Sequence, residues 1–288
     1  MKKLIIICLS ILSFSNSNAQ DNGELKFETN FYDAVNKWVV LPKKSTDSIY
    51  TYGFIYVDIS AGITFHLGGS FYIDNNKKYI GDAEPALQMT KKRLDNPNIV
   101  KMAVLGDKKI AELNLAKEPD WLIHYKFSED SVENLKQLGY HFNHVGACEK
   151  ALLYLNKAYK KEPHHKGLEF EIAYAYNHLN QYEKSIPILE KAIEYDSKNY
   201  YFFRELGYAY SKQTKLDMAE KTYKKGISLS DSNFEKSEMA LNMAQGYFLI
   251  KNKAKFDEWA KITRKYAEKD SQYARYIDLF EKEWDNKR

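Results

Sequence analysis

Small and bulky residues recur along the chain at an interval of 34 positions between residues 132 and 233. The interval divides this stretch into three blocks, Val132–His165, Lys166–Asn199 and Tyr200–Asn233. At the seventh and eighth places of each block a bulky residue precedes a small one: Leu138-Gly139, Ile172-Ala173 and Leu206-Gly207. The second half of each block repeats a triplet of residues spaced four and three apart: Ala151, Leu155, Ala158; Ser185, Leu189, Ala192; Ala219, Tyr223, Gly226. Such spacings place side chains on one helix face, so each block predicts two antiparallel helices.

The breaks between these helices are also visible in the sequence. Turns are predicted near 143–146, 177–181 and 211–215, and Pro163 ends the first block because proline lacks the amide donor that a helix interior needs. The blocks resemble tetratricopeptide repeats (TPR), although no tryptophan stands at the fourth place and no proline closes blocks two and three. The resemblance covers a little over half of the chain and implies a solenoid with a concave groove.

The pattern continues beyond Asn233 with a shift of three residues. A fourth unit is predicted to start near Ser237, with packing positions at Met243-Ala244, Tyr247, Phe256, Ala260 and Thr263. Phe256 takes the place of a small residue, which predicts looser packing in this unit. A final amphipathic helix from Ser271 to Trp284 is expected to cover the apolar end of the array.

The residues before the array have a strand-like texture. Apolar residues occupy both faces of the segment 50–59, which predicts a central strand, and 38–41 is a candidate edge strand. Gly68-Gly69 and Gly106-Asp107 predict hairpin turns, the second between 100–105 and 108–115, and a short helix is predicted from Glu84 to Leu94. At about 110 residues the region has the size of a module with its own core.

These patterns predict an α+β two-domain chain: a small mixed α/β N-terminal module, then an all-α TPR solenoid of three to four repeats with a capping helix. The predicted boundaries are a signal peptide at 1–19, a strand-rich module at 20–130, TPR repeats at 131–269 and a capping helix at 270–288. Lys2-Lys3, the apolar run Leu4–Phe14 and Ala19 before Gln20 are typical of a cleaved secretory signal, because the run is too short to span a membrane. We therefore expect no transmembrane segment after cleavage, and a location in the periplasm or cell envelope, with secretion as an alternative.

The composition argues against some classes of function but does not identify a partner. The formal net charge is +4 and no basic stripe is evident, which argues against a nucleic-acid binder. Cleavage would leave Cys148 as the only cysteine, expected to be buried. His141 and His144 share a helix face, but no carboxylate or cysteine stands at ligand spacing. We expect no metal site there, only two solvated helix histidines and two loop histidines at 164 and 165.

No arrangement of residues predicts catalysis. Gly68-Gly69 lacks the helix, lysine and hydroxyl of a phosphate loop, and neither a nucleophile elbow nor a cysteine-protease signature is present. The sequence thus favours a non-enzymatic protein without a cofactor. One alternative is that the N-terminal module is an enzymatic or small-ligand domain positioned by the repeats, and another is self-association.

The candidate site is the groove face of the first helices. Tyr140, Tyr174 and Tyr208 recur at the ninth place, which the TPR resemblance places in the concave groove. Their neighbours on that face are Lys136, Phe170 and Arg204 at the fifth place, Asn143, Asn177 and Ser211 at the twelfth, and His144, His178 and Lys212 at the thirteenth. Tyrosine combines a broad apolar face with a hydroxyl, which suits recognition of a protein or peptide.

A known TPR specificity is not matched. Some TPR domains clamp the terminal carboxylate of a peptide with lysine and asparagine. Lys136 fits that pattern, but Tyr140 stands where the asparagine belongs, and Glu171 and Glu205 carry the wrong charge.

Overall fold

The structure is a computed structural model that describes residues 24–82, 91–96 and 101–285. The predicted signal peptide and residues 84–90 of the predicted short helix lie outside these ranges. Among the described residues, no helix combines the length and the apolar character that crossing a membrane requires.

The N-terminal region is a strand-rich antiparallel sheet shaped as a half-barrel. In the described part of the chain its strands are β1 Lys37–Leu41, β2 Tyr50–Asp58, β3 Gly62–Ile73, β4 Tyr79–Asp82, β5 Lys91–Arg93 and β6 Ala103–Val104. The order is β4-β3-β2-β1-β6, and β5 also pairs with β3. Strand β2, apolar on both faces, lies between β1 and β3, so the prediction of a central strand is confirmed.

The predicted turn at Gly68-Gly69 is wrong, because β3 runs through both glycines without a break. The register of β2 and β3 shifts between Tyr52 and Gly53, opposite this pair. A Cβ atom on Gly68 would lie 2.6 Å from the Tyr52 ring and 2.7 Å from the Trp38 ring. The glycine therefore makes room for rings that cross the sheet face, which is a common reason for glycine inside a strand.

Three further sequence predictions for this region are corrected. Asp107 begins the short helix α1, Asp107–Glu112, instead of a hairpin strand, and Ile110 from that helix packs on the sheet. Lys91–Arg93, predicted as the end of a helix, pairs with Thr64–His66 as a strand. The strand at 37–41 is not at the edge, because β6 pairs with its outer side. Each of these outcomes depends on a partner distant in sequence, which local periodicity does not reveal.

The C-terminal region is a run of paired antiparallel helices. They are α2 Val132–His144, α3 Cys148–Lys161, α4 Leu168–His178, α5 Tyr182–Tyr195, α6 Tyr200–Lys212, α7 Leu216–Leu229, α8 Asn233–Leu249, α9 Lys253–Tyr266 and α10 Gln272–Asp285. All three predicted turns fall between helices of a pair. A Cβ atom on Gly139 would lie 2.3 Å from Leu155, and one on Gly207 would lie 2.6 Å from Tyr223. The small residue of the first helix thus accommodates the large residue of the second, which explains the repeated pattern.

The fourth pair differs from its prediction in two respects. Helix α8 begins at Asn233, four residues before the predicted start at Ser237. The side chain of Ser232 caps this helix start by accepting a hydrogen bond from the Glu235 amide at 3.3 Å. The extra turn absorbs the shift in register. Phe256 is fully buried, with its ring centroid 5.3 Å from that of Trp284, so the expected loose packing is wrong. Rings from α10 fill the space, and α10 covers the end of the array as predicted.

The sheet and the first helical pair share one hydrophobic core. One sheet face contributes Val39, Ile55 and Phe65, which join Leu135 and Phe142 in a single buried cluster. The other face packs its own aromatic cluster, which includes Trp38, Tyr52, Phe54, Phe71 and Tyr79. One face of the N-terminal sheet is therefore covered by the array, whereas the other face has a core of its own.

Candidate binding groove

The ninth-place tyrosines lie side by side on α2, α4 and α6, and each is accompanied by the basic residue one turn later. The ring centroids of Tyr140 and His144 are 6.0 Å apart, and those of Tyr174 and His178 are 6.1 Å apart. In the third unit the Lys212 ammonium lies 5.1 Å from the centre of the Tyr208 ring. In each of the three units, the ninth-place tyrosine ring thus lies near the histidine or lysine side chain four residues later, along one face.

A cavity with a volume of about 620 Å³ opens on this face. Its walls come from α2, α4, α6 and the turns between the units. The lining includes Lys136, Gln137, Tyr140, Gly167, Phe170 and Tyr201. Phe170 and Tyr201 meet edge to face with centroids 5.4 Å apart. Helix α4 starts directly after Gly167, whose φ of 81° favours glycine, and no atom would lie within 4 Å of a Cβ there.

A second, smaller cavity of about 170 Å³ lies farther along the groove. It is lined by Tyr174, Asn177, His178, Arg204, Glu205, Tyr208, Glu238 and Asn242. Arg204 joins the two cavities, because its guanidinium carbon also lies 5.3 Å from the centre of the Phe170 ring and 5.2 Å from that of Tyr201. The two cavities are therefore adjacent, with Arg204 between them, and we call the surface that they line together the groove.

The twelfth-place asparagines have a different position from the tyrosines. Asn143 and Asn177 are only 3% and 2% exposed. The Asn143 amide donates to the backbone carbonyl and the carboxylate of Glu171, both at 2.9 Å, and Asn177 donates to the same groups of Glu205 at 3.1 and 3.0 Å. These bonds join each first helix to the next first helix. Both side chains are thus occupied in fixing the groove, and Asn177 borders it only as part of the smaller cavity.

Lys136 is also held in place. Its ammonium donates to the Glu133 carboxylate at 2.7 Å and to the Lys166 carbonyl at 3.2 Å. His165 contacts the same carboxylate of Glu133 at 2.9 Å. Burial of Glu133 opposes ionisation, but the hydrogen bonds from His165 and Lys136 outweigh it and lower the pKa of Glu133 to about 2. The lysine is therefore a fixed edge of the larger cavity.

Of the predicted histidines, His144 is exposed on its helix and His164 and His165 lie in the turn between units, as expected, whereas the prediction that His141 is solvated is wrong. His141 is 4% exposed, and its Nε2 lies 2.8 Å from the Ile59 carbonyl oxygen, so it joins the first helical pair to the sheet. Burial lowers the pKa of His141, with a smaller contribution from the Arg93 charge. His164 lies 2.5 Å from a carboxylate oxygen of Glu169. Within the described ranges, no group of three metal-binding side chains comes together.

Sequence reasoning used Glu171 and Glu205 only as an argument against carboxylate capture, and it missed Glu235 and Glu238. Arg204 contacts Glu205 at 3.1 Å, Glu235 at 2.6 Å and Glu238 at 3.7 Å. Burial raises the pKa of Glu238, although Arg204 acts in the opposite direction. Burial also raises the pKa of Glu171, against the hydrogen bond from Asn143. The recurrence of Glu171 and Glu205 at the sixth place was a usable signal, whereas Glu238 does not stand at that place of the fourth unit.

Comparison with known families identifies the helical region. A family model described as tetratricopeptide repeat matches residues 170–199 and 205–233, which correspond to the pairs α4–α5 and α6–α7. These two helical pairs are TPR units. A comparison with curated protein sequences found no match.

Solved TPR structures resemble the array at low sequence identity. TTC0263, a TPR protein from Thermus thermophilus, is 17% identical over 55% of this chain and 84% of that one, with a TM-score of 0.47. MamA from Desulfovibrio magneticus RS-1 is 18% identical over 56% and 82%, with a TM-score of 0.42. YrrB, described as a TPR protein with an unusual peptide-binding site, is 15% identical over 53% and 76%, with a TM-score of 0.45.

Proposed function

We propose that this chain is a non-enzymatic scaffold whose TPR groove holds a peptide segment of another protein. The observation that carries the proposal is the cavity of about 620 Å³ with aromatic walls from three successive first helices. Aromatic side chains at the centre of a concave surface supply much of the binding energy in protein recognition.

The shape of the groove favours an extended or helical segment over a small molecule. The smaller cavity lies beside the larger one across Arg204, so the two linings together span α2, α4, α6 and α8. A ligand that contacts all four helices has to be elongated. Buried hydrogen bonds between neighbouring first helices hold this surface before a partner arrives, which reduces the ordering cost of binding.

The signal-like N-terminus supports a location outside the cytoplasm. Lys2-Lys3, the apolar run and Ala19 are the features that export machinery reads. We place the scaffold in the periplasm or cell envelope on this ground. Cleavage can be tested by N-terminal sequencing of the protein recovered from an envelope fraction, where a first residue of Gln20 is expected.

The alternative of an enzymatic or small-ligand N-terminal module finds less support. The outer face of the sheet is filled by aromatic rings, with Phe54 and Phe71 fully buried. A cavity of about 240 Å³ lies between the sheet and the first helical pair, with Tyr56, Leu122 and Phe142 in its walls. It is well below the size of the groove, so the groove remains the better candidate.

A peptide-display experiment tests the groove. Random nonamer peptides are selected on the full chain, and the selected pool is then titrated against two variants. The double variant Tyr140→Ala/Tyr201→Ala removes two rings of the larger cavity that are 40% and 39% exposed, and Tyr72→Ala removes a sheet tyrosine that is 45% exposed. Because the exposed fractions of the three tyrosines are similar, each ring removed from the larger cavity differs from Tyr72 mainly in its position on the protein.

We expect the double variant to bind the pool at least about tenfold more weakly, since two interface aromatic groups are worth roughly 1 kcal/mol or more each. Tyr72→Ala should bind like the natural chain, and circular dichroism should show unchanged helix content in both. Equal affinity of the double variant and the natural chain would mean that the peptides bind outside the groove.

A further inference from the structure

Resting on the groove function above, we infer that the bound peptide carries a large apolar side chain and, within about three residues of it, a lysine or arginine. The apolar side chain would enter the larger cavity, and the basic side chain would enter the smaller one. This assigns a partner chemistry to each half of the groove.

The larger cavity provides the apolar half. Tyr140, Phe170 and Tyr201 form its walls, and the open space above Gly167 leaves the cavity accessible from the turn between the first two pairs. The Arg204 guanidinium carbon lies 5.3 Å from the centre of the Phe170 ring and 5.2 Å from that of Tyr201, within the distance for cation–π attraction. A leucine, phenylalanine or similar side chain fits such a surface, because it exchanges water for ring faces.

The smaller cavity provides the acidic half. Among the side chains that the structure describes, Arg204 is the single cation between Glu205, Glu235 and Glu238, so this cluster has an excess of negative charge. Lys212 adds a positive charge at the rim, but its side chain is exposed and lies over the Tyr208 ring. Even when Lys212 is included, the carboxylates outnumber the cations.

Glu238 is the carboxylate with the weakest connection to Arg204. The closest approach between the two is 3.7 Å, longer than a hydrogen bond, whereas Glu205 and Glu235 lie within hydrogen-bonding distance. Burial raises the pKa of Glu238, and its side chain is still 33% exposed, so a partner can reach the carboxylate. A cation from a partner would compensate that charge, whereas an anion would increase the repulsion.

The tyrosines of the smaller cavity also favour a positively charged side chain of the partner. Tyr174 and Tyr208 line it together with Glu238. The negative face of an aromatic ring attracts lysine and arginine, especially where water is partly excluded. Rings and carboxylates thus favour one class of side chain, and an acidic or phosphorylated peptide is disfavoured at this position.

Arg204 sets the distance between the two halves. Its guanidinium lies 5.3 Å from the centre of the Phe170 ring and 3.7 Å from the Glu238 carboxylate. The ring and the carboxylate are therefore at most about 10 Å apart, which an extended chain covers in about three residues. An apolar residue and a basic residue at positions i and i+2 meet this requirement.

Three labelled nonamer libraries test the inference. Each has a fixed phenylalanine and, two positions later, a fixed arginine, glutamine or glutamate, with all other positions randomised among uncharged residues. Fluorescence anisotropy measures their affinity for the full chain. We expect the arginine library to bind about tenfold more tightly than the glutamine library, and the glutamate library to bind most weakly.

Two variants locate the preference. Glu238→Gln should reduce the arginine-over-glutamine ratio to about threefold or less. Glu194→Gln removes the same charge from an exposed position on α5 and should leave the ratio unchanged.

The outcomes separate this inference from the groove function. Equal binding of the arginine and glutamine libraries would overturn the basic preference while leaving the groove as a peptide site. A preference that persists in Glu238→Gln would overturn the assignment to the smaller cavity. Failure of all three libraries to bind, together with failure of the random selection, would overturn both proposals.

Discussion

The sheet and the repeat array are stabilised by different kinds of contact. In the array, the contacts within and between helical pairs involve positions that recur along the sequence, such as Gly139 with Leu155 within a pair and Asn177 with Glu205 between pairs. In the sheet, the contacts join residues far apart in sequence, as when the Trp38 indole donates to the Ala116 carbonyl at 2.9 Å. The array contacts recur in each unit, whereas each sheet contact occurs once. This difference determines how well the structure of each region can be predicted from the sequence and how each region should respond to mutation.

The largest expected effect comes from separating the two regions. A fragment of residues 131–288 lacks the sheet and would expose Leu135, Leu138 and Phe142 of the first helical pair. Exposing three large apolar side chains costs roughly 1.5 to 3 kcal/mol for each one that becomes fully solvated. We expect α2 and α3 to lose hydrogen-exchange protection in the fragment while α6 to α9 retain it. The full chain is the control, and undiminished protection of α2 in the fragment would show that the array does not depend on the sheet.

A smaller effect is expected from adding one methyl group at a close approach in each region. In Gly53→Ala the new Cβ would lie 2.4 Å from the His66 carbonyl oxygen, whereas in Gly207→Ala it would lie 2.6 Å from the Tyr223 ring. A backbone atom of a paired strand cannot move aside as a ring can, and alanine also favours a helix over glycine by about 1 kcal/mol. We expect Gly53→Ala to lower the free energy of unfolding by about 3 kcal/mol and Gly207→Ala by about 1 kcal/mol.

Urea denaturation measures both glycine variants. Gly81→Ala is the matched control in the sheet, because no atom would lie within 4 Å of its Cβ, and it should be nearly neutral. If Gly207→Ala proved more destabilising than Gly53→Ala, the ring of Tyr223 would have to be as immobile as the strand backbone.

The same contrast explains what the sequence could and could not predict. The helices of the array, their turns and the capping helix follow from positions such as Leu155 and Tyr223, because each packing contact leaves a recurring pair of small and large residues. The glycine pair at 68 and 69 was misassigned because it contacts rings on neighbouring strands, which adjacent residues do not indicate. The pairing of Lys91–Arg93 with β3 joins segments far apart in sequence, so it could not be predicted without the three-dimensional fold.

The candidate site was predictable to the same degree. The tyrosine series was visible as a repeat, and the structure places Tyr140 in the larger cavity and Tyr174 and Tyr208 in the smaller one. Whether these residues contact a partner remains a prediction. Asn143 appeared in the same series, but its burial could not be inferred from spacing, because it depends on how close the next helix approaches. Glu238 lies after the shift in register and carried no repeat signal.

The smallest expected effect is a pH dependence at the distal end of the array. Glu220 on α7 accepts hydrogen bonds from Tyr247 of α8 and from Lys255 of α9, the latter at 3.0 Å. Burial opposes ionisation of Glu220, but bonds from Lys224, Tyr247 and Lys255 outweigh it and lower the pKa to about 2 from a usual 4.5. Because the folded state holds the carboxylate ionised, this stabilisation is complete above about pH 4.5 and is lost as the pH falls towards 2.

Glu220→Gln tests this dependence. The lysines are partly solvated, so screening limits the expected loss of stability to about 1 kcal/mol at pH 7, and the difference from the natural chain should vanish near pH 2. Urea titrations at several pH values measure it, with the exposed Glu194→Gln as the control that should show no such convergence. A constant difference across the range would mean that the charge of Glu220 contributes nothing.

The core shared by the sheet and the first helical pair also limits how the array can change its length. Side chains such as Ile55 and Phe65 cover apolar residues of α2 that a preceding repeat would otherwise contact. An additional unit placed before α2 would lose this cover, whereas a copy inserted after α3 would meet the same surfaces and the same asparagine-to-glutamate hydrogen bonds that already join units one, two and three. Gene duplication can therefore lengthen this array by adding units after α3. The half-barrel makes the first helical pair the fixed N-terminal end of the array.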